Sequence, residues 1–201
     1  MNSILTSYID LEIDLSFTGA SEGLLKQLSE QAPRIILTEA ESWEQDLRKW
    51  IQFVRQDKSL LCPELVRRTL VVSMGLQFTD DSNIAALNSY WRQKPEKTDV
   101  LSFPVLDDKI ILPQEQSVEI GDIFVSLMTA EHQAKEHNHS LATELRWLVS
   151  HGLLHLLGWE HTSSQSLKEM LLCQEQLLCI EGNLSTAGAK NAEIDDASRK
   201  R

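Results

Sequence analysis

His151-Gly152-Leu153-Leu154-His155-Leu156-Leu157-Gly158-Trp159-Glu160-His161 places three histidines in one short run. An α-helix turns once per 3.6 residues, so His151 and His155 project from one face, one turn apart. Two imidazoles sharing a metal ion need that placement. Gly158 follows His155 by three residues, where a helix can stop through a left-handed residue that glycine adopts cheaply. The chain can then double back and bring His161 to the same ion. Three neutral nitrogens with a water in the fourth position describe a catalytic zinc site; a structural site is closed by four protein ligands.

The spacing His-x-x-x-His-x-x-x-x-x-His also occurs in zinc peptidases, which carry Glu directly after the first His as general base. Here that position is Gly152, which cannot take a proton. Glu160 lies beside His161, outside the helix. The pattern therefore offers a peptidase-like cage without the peptidase base.

Outward from this run, Ser140 is placed to cap the metal helix, which is expected to end near Leu157. A last helix is expected over 164–180, with Leu167, Met170, Leu171, Gln174, Leu177 and Leu178 on one stripe. Upstream, Ile9, Leu11, Ile13 and Leu15 alternate with acidic residues, as in a strand with one wet face. Residues 22–40 predict a short helix ending near Pro33. Ser42 reads as the cap of a helix whose stripe is Trp43, Leu47, Trp50, Ile51 and Val54. Thr69–Phe78 reads as a strand, and Asp80 or Asp81 as the cap of a helix carrying Ile84, Leu87 and Trp91, with Arg92 at its end. Val100–Phe103 and Ile120–Ser126 read as strands around a polar loop over 105–118, and 127–136 as a helix. His132, His137 and His139 are expected to be surface or packing residues. These elements predict one α+β domain over 1–181, a mixed four-stranded sheet packed with helices, and a disordered tail over 182–201.

A chain of 201 residues with 42% hydrophobic content can bury a real core. No stretch approaches a membrane span, and Met1-Asn2-Ser3-Ile4-Leu5 lacks the basic region of a secretory signal. Cys62, Cys173 and Cys179 form no Cys-x-x-Cys pair and read as reduced thiols of a cytosol-like compartment. A net charge of −11 argues against a general nucleic-acid binder. The charge is uneven: over 62–98 five basic residues (Arg67, Arg68, Arg92, Lys94, Lys97) face four acidic ones, and 99–161 is strongly acidic. A local basic strip beside the metal is expected, rather than a broad basic face.

The chain resembles the YbeY family of bacterial and plastid endoribonucleases. Residues 151–161 follow that family's motif, His-Gly-x-Leu-His-Leu-x-Gly-[Tyr/Trp]-[Asp/Glu]-His. Two further blocks agree in order and spacing: Leu87-Asn88-Ser89-Tyr90-Trp91-Arg92 with Lys97-Thr98-Asp99-Val100-Leu101-Ser102-Phe103-Pro104, and Gly121-Asp122-Ile123-Phe124-Val125-Ser126. The similarity spans roughly 60–180, while 18–60 looks longer than in compact members. The resemblance implies a zincin-like fold and a single-strand-specific, metal-dependent endoribonuclease. It implies action in 3′-end maturation of small-subunit ribosomal RNA and in ribosome quality control, with contacts to ribosomal proteins, in the cytoplasm or a plastid stroma-like compartment. By position it makes His151, His155 and His161 the zinc ligands and sets Arg92 facing the metal.

A fixed guanidinium suits the negative charge that grows on phosphoryl oxygens during cleavage, and Arg92 is the catalytic candidate. Asp122 and Ser150 are candidates to orient the ligand imidazoles. Two rivals stand beside the nuclease: a zinc peptidase, and a non-catalytic ribosome-assembly factor whose zinc locks the fold.

Overall fold

Alternation along the strands decides which face of the sheet is dry. In the computed structural model, which describes residues 11–29, 33–106 and 117–180, Val72, Met74, Leu76 and Phe78 of β2 (Val71–Thr79) are buried, and the residues between them are partly exposed. β1 (Glu12–Thr18) and β4 (Ser117–Ser126) flank β2 in parallel, and β3 (Val100–Pro104) closes the edge antiparallel to β4. The order β1-β2-β4-β3 is the mixed four-stranded sheet expected of this α+β chain.

The dry face is covered by α3 (Ala40–Gln56) and α7 (Leu141–Leu156). The predicted stripe Trp43, Leu47, Trp50, Ile51 and Val54 has no exposed surface, and Trp43 meets Phe78 edge-on, ring centroids 5.7 Å apart. Asp46 of α3 accepts from Arg146 of α7 at 2.9 Å, a charged tie between the two covering helices. Among the described residues the other sheet face is uncovered, apart from one end where α5 (Asp81–Arg92) lies. α6 (Leu127–Glu136) precedes α7, and α8 (Ser164–Cys179) packs against it.

Several boundaries differ from the sequence reading. Pro33 does not end a helix but stands at the head of α2 (Arg34–Thr38), after a separate α1 (Glu22–Leu25). A proline fits a helix start, where its missing N–H is no loss. The same device at Pro63 starts α4 (Glu64–Arg68), a helix the periodicity did not reveal. Ser42 is not a cap: α3 begins at Ala40 behind an extended Glu39. Thr69 lies outside β2, because its hydroxyl accepts from the Val71 N–H at 3.3 Å instead of extending the ladder. Asp80, Ser126 and Ser140 each cap the following helix through the side chain. Ile9, most of the loop at 105–118 and the tail at 182–201 lie outside the described residues.

Candidate metal centre

α7 presents His151 and His155 one turn apart, with ring centroids 4.8 Å apart. The helix ends at Leu156, and Gly158, at φ +90°, reverses the chain. The Gly158 N–H donates to His155 O at 3.0 Å and the Trp159 N–H to Leu154 O at 3.0 Å, so the carbonyls freed at the helix end are satisfied within the turn. Trp159 pins the turn from outside, its indole N–H donating to Leu61 O at 2.9 Å. His161 then lies with its ring 5.5 Å from that of His151 and 5.1 Å from that of His155. One nitrogen from each of the three rings falls within 4.8 Å of the others.

Two neighbours fix which nitrogens face inward. His155 Nδ1 lies 2.8 Å from Trp159 O, and His151 Nδ1 lies 3.3 Å from Gln174 Oε1. Gln174 of α8 is fully buried, and its Nε2 donates to Trp147 O at 2.7 Å. That bond turns its amide oxygen toward His151. With oxygen acceptors on both Nδ1 atoms, the Nδ1–H tautomer is favoured and each Nε2 keeps its lone pair. Asp122 and Ser150 do not fill this role. Ser150 Oγ donates to Trp147 O at 3.0 Å, and Asp122 belongs to the open sheet face, its Oδ1 against Gly75. A glutamine on an otherwise apolar stripe of α8 was the available sequence signal.

The electrostatics agree with neutral imidazoles. Burial, then His155, pushes His151 down to about 4. Burial, then His161, lowers His155, with a smaller contribution from Arg92. Two rings, His151 and His155, held unprotonated near neutral pH, and three ring nitrogens within 4.8 Å of one another, fit a divalent cation of the zinc type.

Gly152 adds a steric reason for the missing base. A Cβ there would lie 3.0 Å from Ser102 Oγ and 3.0 Å from Ile123 Cγ2, because α7 crosses the sheet at this residue. Any side chain at 152 would enter that contact rather than the His face.

Arg92 ends α5, followed by Gln93 in the left-handed region at φ 58°. Its Nη2 reaches Ser102 O at 3.4 Å, on the edge strand under α7, and the guanidinium is exposed. The basic strip is narrower than the residue count suggested. Arg67 donates to Arg55 O and Leu60 O at 2.6 Å each, holding the α3–α4 connection, and Lys97 pairs with Asp81 at 2.7 Å. Arg92 and Lys94 are the exposed cations left on this segment with no ion pair among the described residues.

The remaining histidines lie apart. His137 Nδ1 and His139 Nε2 both approach the buried Glu144 Oε2, and His132 pairs with Glu136 on the surface of α6 at 3.3 Å. Cys173 is buried in α8 and Cys179 exposed at its end.

Likeness to known proteins extends over most of the chain. The family model described as "Endoribonuclease YbeY" matches residues 29–180, so the likeness begins about thirty residues earlier than the motifs indicated. A protein named "Endoribonuclease YbeY" from Prochlorococcus marinus (strain MIT 9313) is 54% identical over 184 residues, covering 92% of this chain and 98% of that protein. One of the same name from Synechococcus sp. (strain CC9605) is 53% identical, covering 84% and 98%. Another, from Synechococcus sp. (strain CC9902), is 46% identical, covering 92% and 100%.

Proposed function

The chain belongs to the endoribonuclease YbeY family, and from that premise we propose that it is a zinc-dependent endoribonuclease cleaving single-stranded RNA. Its role in the cell, on this reading, is 3′-end maturation of small-subunit ribosomal RNA and ribosome quality control, with ribosomal proteins as neighbours. The cytoplasm or a plastid stroma-like compartment is the proposed location; no described helix is long and apolar enough to cross a membrane.

The observation that carries the reading is the convergence of three imidazole nitrogens within 4.8 Å, with an exposed arginine held to the neighbouring strand. His151, His155 and His161 are the proposed ligands. Bound there, zinc would supply Lewis acidity, polarising a phosphoryl oxygen and making nearby water a stronger acid. Arg92 meets the negative charge that grows on phosphoryl oxygens, with two parallel donors and a charge that does not titrate near neutrality. Gln174 and the Trp159 carbonyl hold two rings in the required tautomer. Gly152 leaves no room for the glutamate that a peptidase needs after its first histidine.

The test is parallel digestion of single-stranded RNA, duplex RNA and casein by chelator-stripped and zinc-reloaded protein. Zinc-dependent cleavage of the single strand alone supports the reading. Casein hydrolysis with intact RNA would replace it with the peptidase.

A further inference from the structure

Of the large hydrophobic side chains among the described residues, Tyr90 and Trp91 are the most exposed, at 77% and 63%. They begin a connected row of rings. Tyr90 and Trp91 meet edge to face at 5.0 Å, Trp91 and Phe103 at 5.9 Å, and Phe103 and Phe124 edge to face at 5.6 Å. The row starts at the end of α5, crosses the edge strand β3 and reaches the sheet face left uncovered among the described residues. An edge-to-face contact covers one ring face where stacking covers two, and the exposure of Tyr90 and Trp91 leaves most of their ring surface free.

Charge says what fits this row. Residues 90–97 are all exposed, and within them Arg92 and Lys94, with no ion pair among the described residues, stand against a single acid, Glu96, in a chain of net charge −11, while Lys97 is held by Asp81. Asp122 is the cross-strand partner of Phe103 and is exposed, so it repels anions from the sheet side of the row. A polyanion crossing here keeps its phosphates toward Arg92 and Lys94 and turns its flat, uncharged groups onto the rings. Single-stranded RNA meets that description; duplex RNA does not, because its bases are already stacked on one another.

We propose that Tyr90, Trp91 and Phe103 form a nucleobase-stacking platform that holds single-stranded RNA across the edge strand, with Arg92 and Lys94 on its phosphates. The proposal rests on the nuclease reading and names how that site selects its substrate. Arg92 links the two, since it follows Trp91 directly and its Nη2 reaches the carbonyl of Ser102, the residue before Phe103. A strand bound on the rings therefore presents a phosphate to the guanidinium. The platform reads no sequence, because every base offers a π-face.

The experiment uses the zinc-loaded full chain and short 2′-O-methylated oligouridine, with a matching abasic strand. Affinity and tryptophan fluorescence are measured for wild type, Trp91→Ala, Trp91→Phe and Tyr90→Ala. Wild type is expected to bind with quenching. Trp91→Ala is expected to lose the quench and roughly tenfold to hundredfold in affinity, and Trp91→Phe to stay within a few-fold of wild type. The abasic strand should bind wild type about as weakly as oligouridine binds Trp91→Ala. Unchanged affinity in both alanine variants, while wild type still cleaves RNA, overturns the platform and leaves the nuclease standing. Unchanged affinity with a shifted oligomeric state gives the rings to a second copy of the chain and equally overturns it. A wild type that neither binds nor cleaves single-stranded RNA removes the nuclease reading and the platform together.

Discussion

Gln174 Oε1 stands 3.3 Å from His151 Nδ1, and the same amide donates to Trp147 O at 2.7 Å, so α8 orients a ring on α7 through one buried side chain. Removing the acceptor leaves His151 free to rotate or change tautomer. Gln174→Leu, close in volume, is expected to weaken zinc binding roughly 10- to 100-fold. Competition against a chromophoric chelator measures it, and wild-type affinity in the variant would deny Gln174 that orienting role.

Gly152 sits where α7 crosses the sheet. Gly152→Ala pushes a methyl against Ser102 and Ile123 at 3.0 Å. Two close contacts of that kind are expected to outweigh alanine's better helix propensity, costing about 1–2 kcal/mol in urea unfolding. A variant as stable as wild type would mean that α7 can lift off β3 freely.

Gly158 has open space around it, so its requirement is conformational rather than steric. At φ +90°, a side chain strains the backbone. Gly158→Ala is expected to lose about 1–3 kcal/mol of stability. Zinc affinity should fall with it, because the turn carries His161 to the other two rings.

The convergence of the three histidines was legible in the sequence, for a physical reason. One-turn spacing ties His151, His155 and the glycine stop to helical periodicity, which is local. The strand alternation and the side-chain caps at Asp80 and Ser140 are local too. What stayed hidden depends on contacts distant along the chain. Gln174 acts on a histidine 23 positions away, and Gly152 is small because of a strand some 50 residues earlier. Arg67 and Lys97 looked like members of a phosphate-binding strip, yet each is engaged with the protein itself. Charge counting cannot distinguish a free cation from one already held.

His151 gives metal-free protein a defined acid response. Its folded value is lowered from 6.5 to about 4 by burial. Below 6.5 the unfolded chain takes up a proton that the folded ring refuses, so stability contributed by this group is complete above that pH and is lost as pH falls toward 4. The loss approaches about 3 kcal/mol. Chelator-treated wild type and His151→Gln, unfolded in urea across that range, should differ in slope. Parallel curves would place the ring in contact with water.

Arg92→Glu and His155→Ala are expected to fail in different ways. The first should lose RNA cleavage by at least about a hundredfold while retaining zinc, since removing charge stabilisation of this kind costs roughly that much. The second should lose cleavage and metal together. Metal analysis and a single-turnover RNA assay on the same samples check both, and normal cleavage by Arg92→Glu would take the catalytic role from that residue.

Titration of zinc into metal-free protein, with single-stranded RNA cleavage followed at each addition, tests the central claim most directly. Cleavage is expected to rise from near zero and break at one ion per chain, and His161→Ala should abolish the break. Full cleavage by the metal-free protein, or zinc uptake unchanged by His161→Ala, would contradict a single ion shared by the three imidazoles.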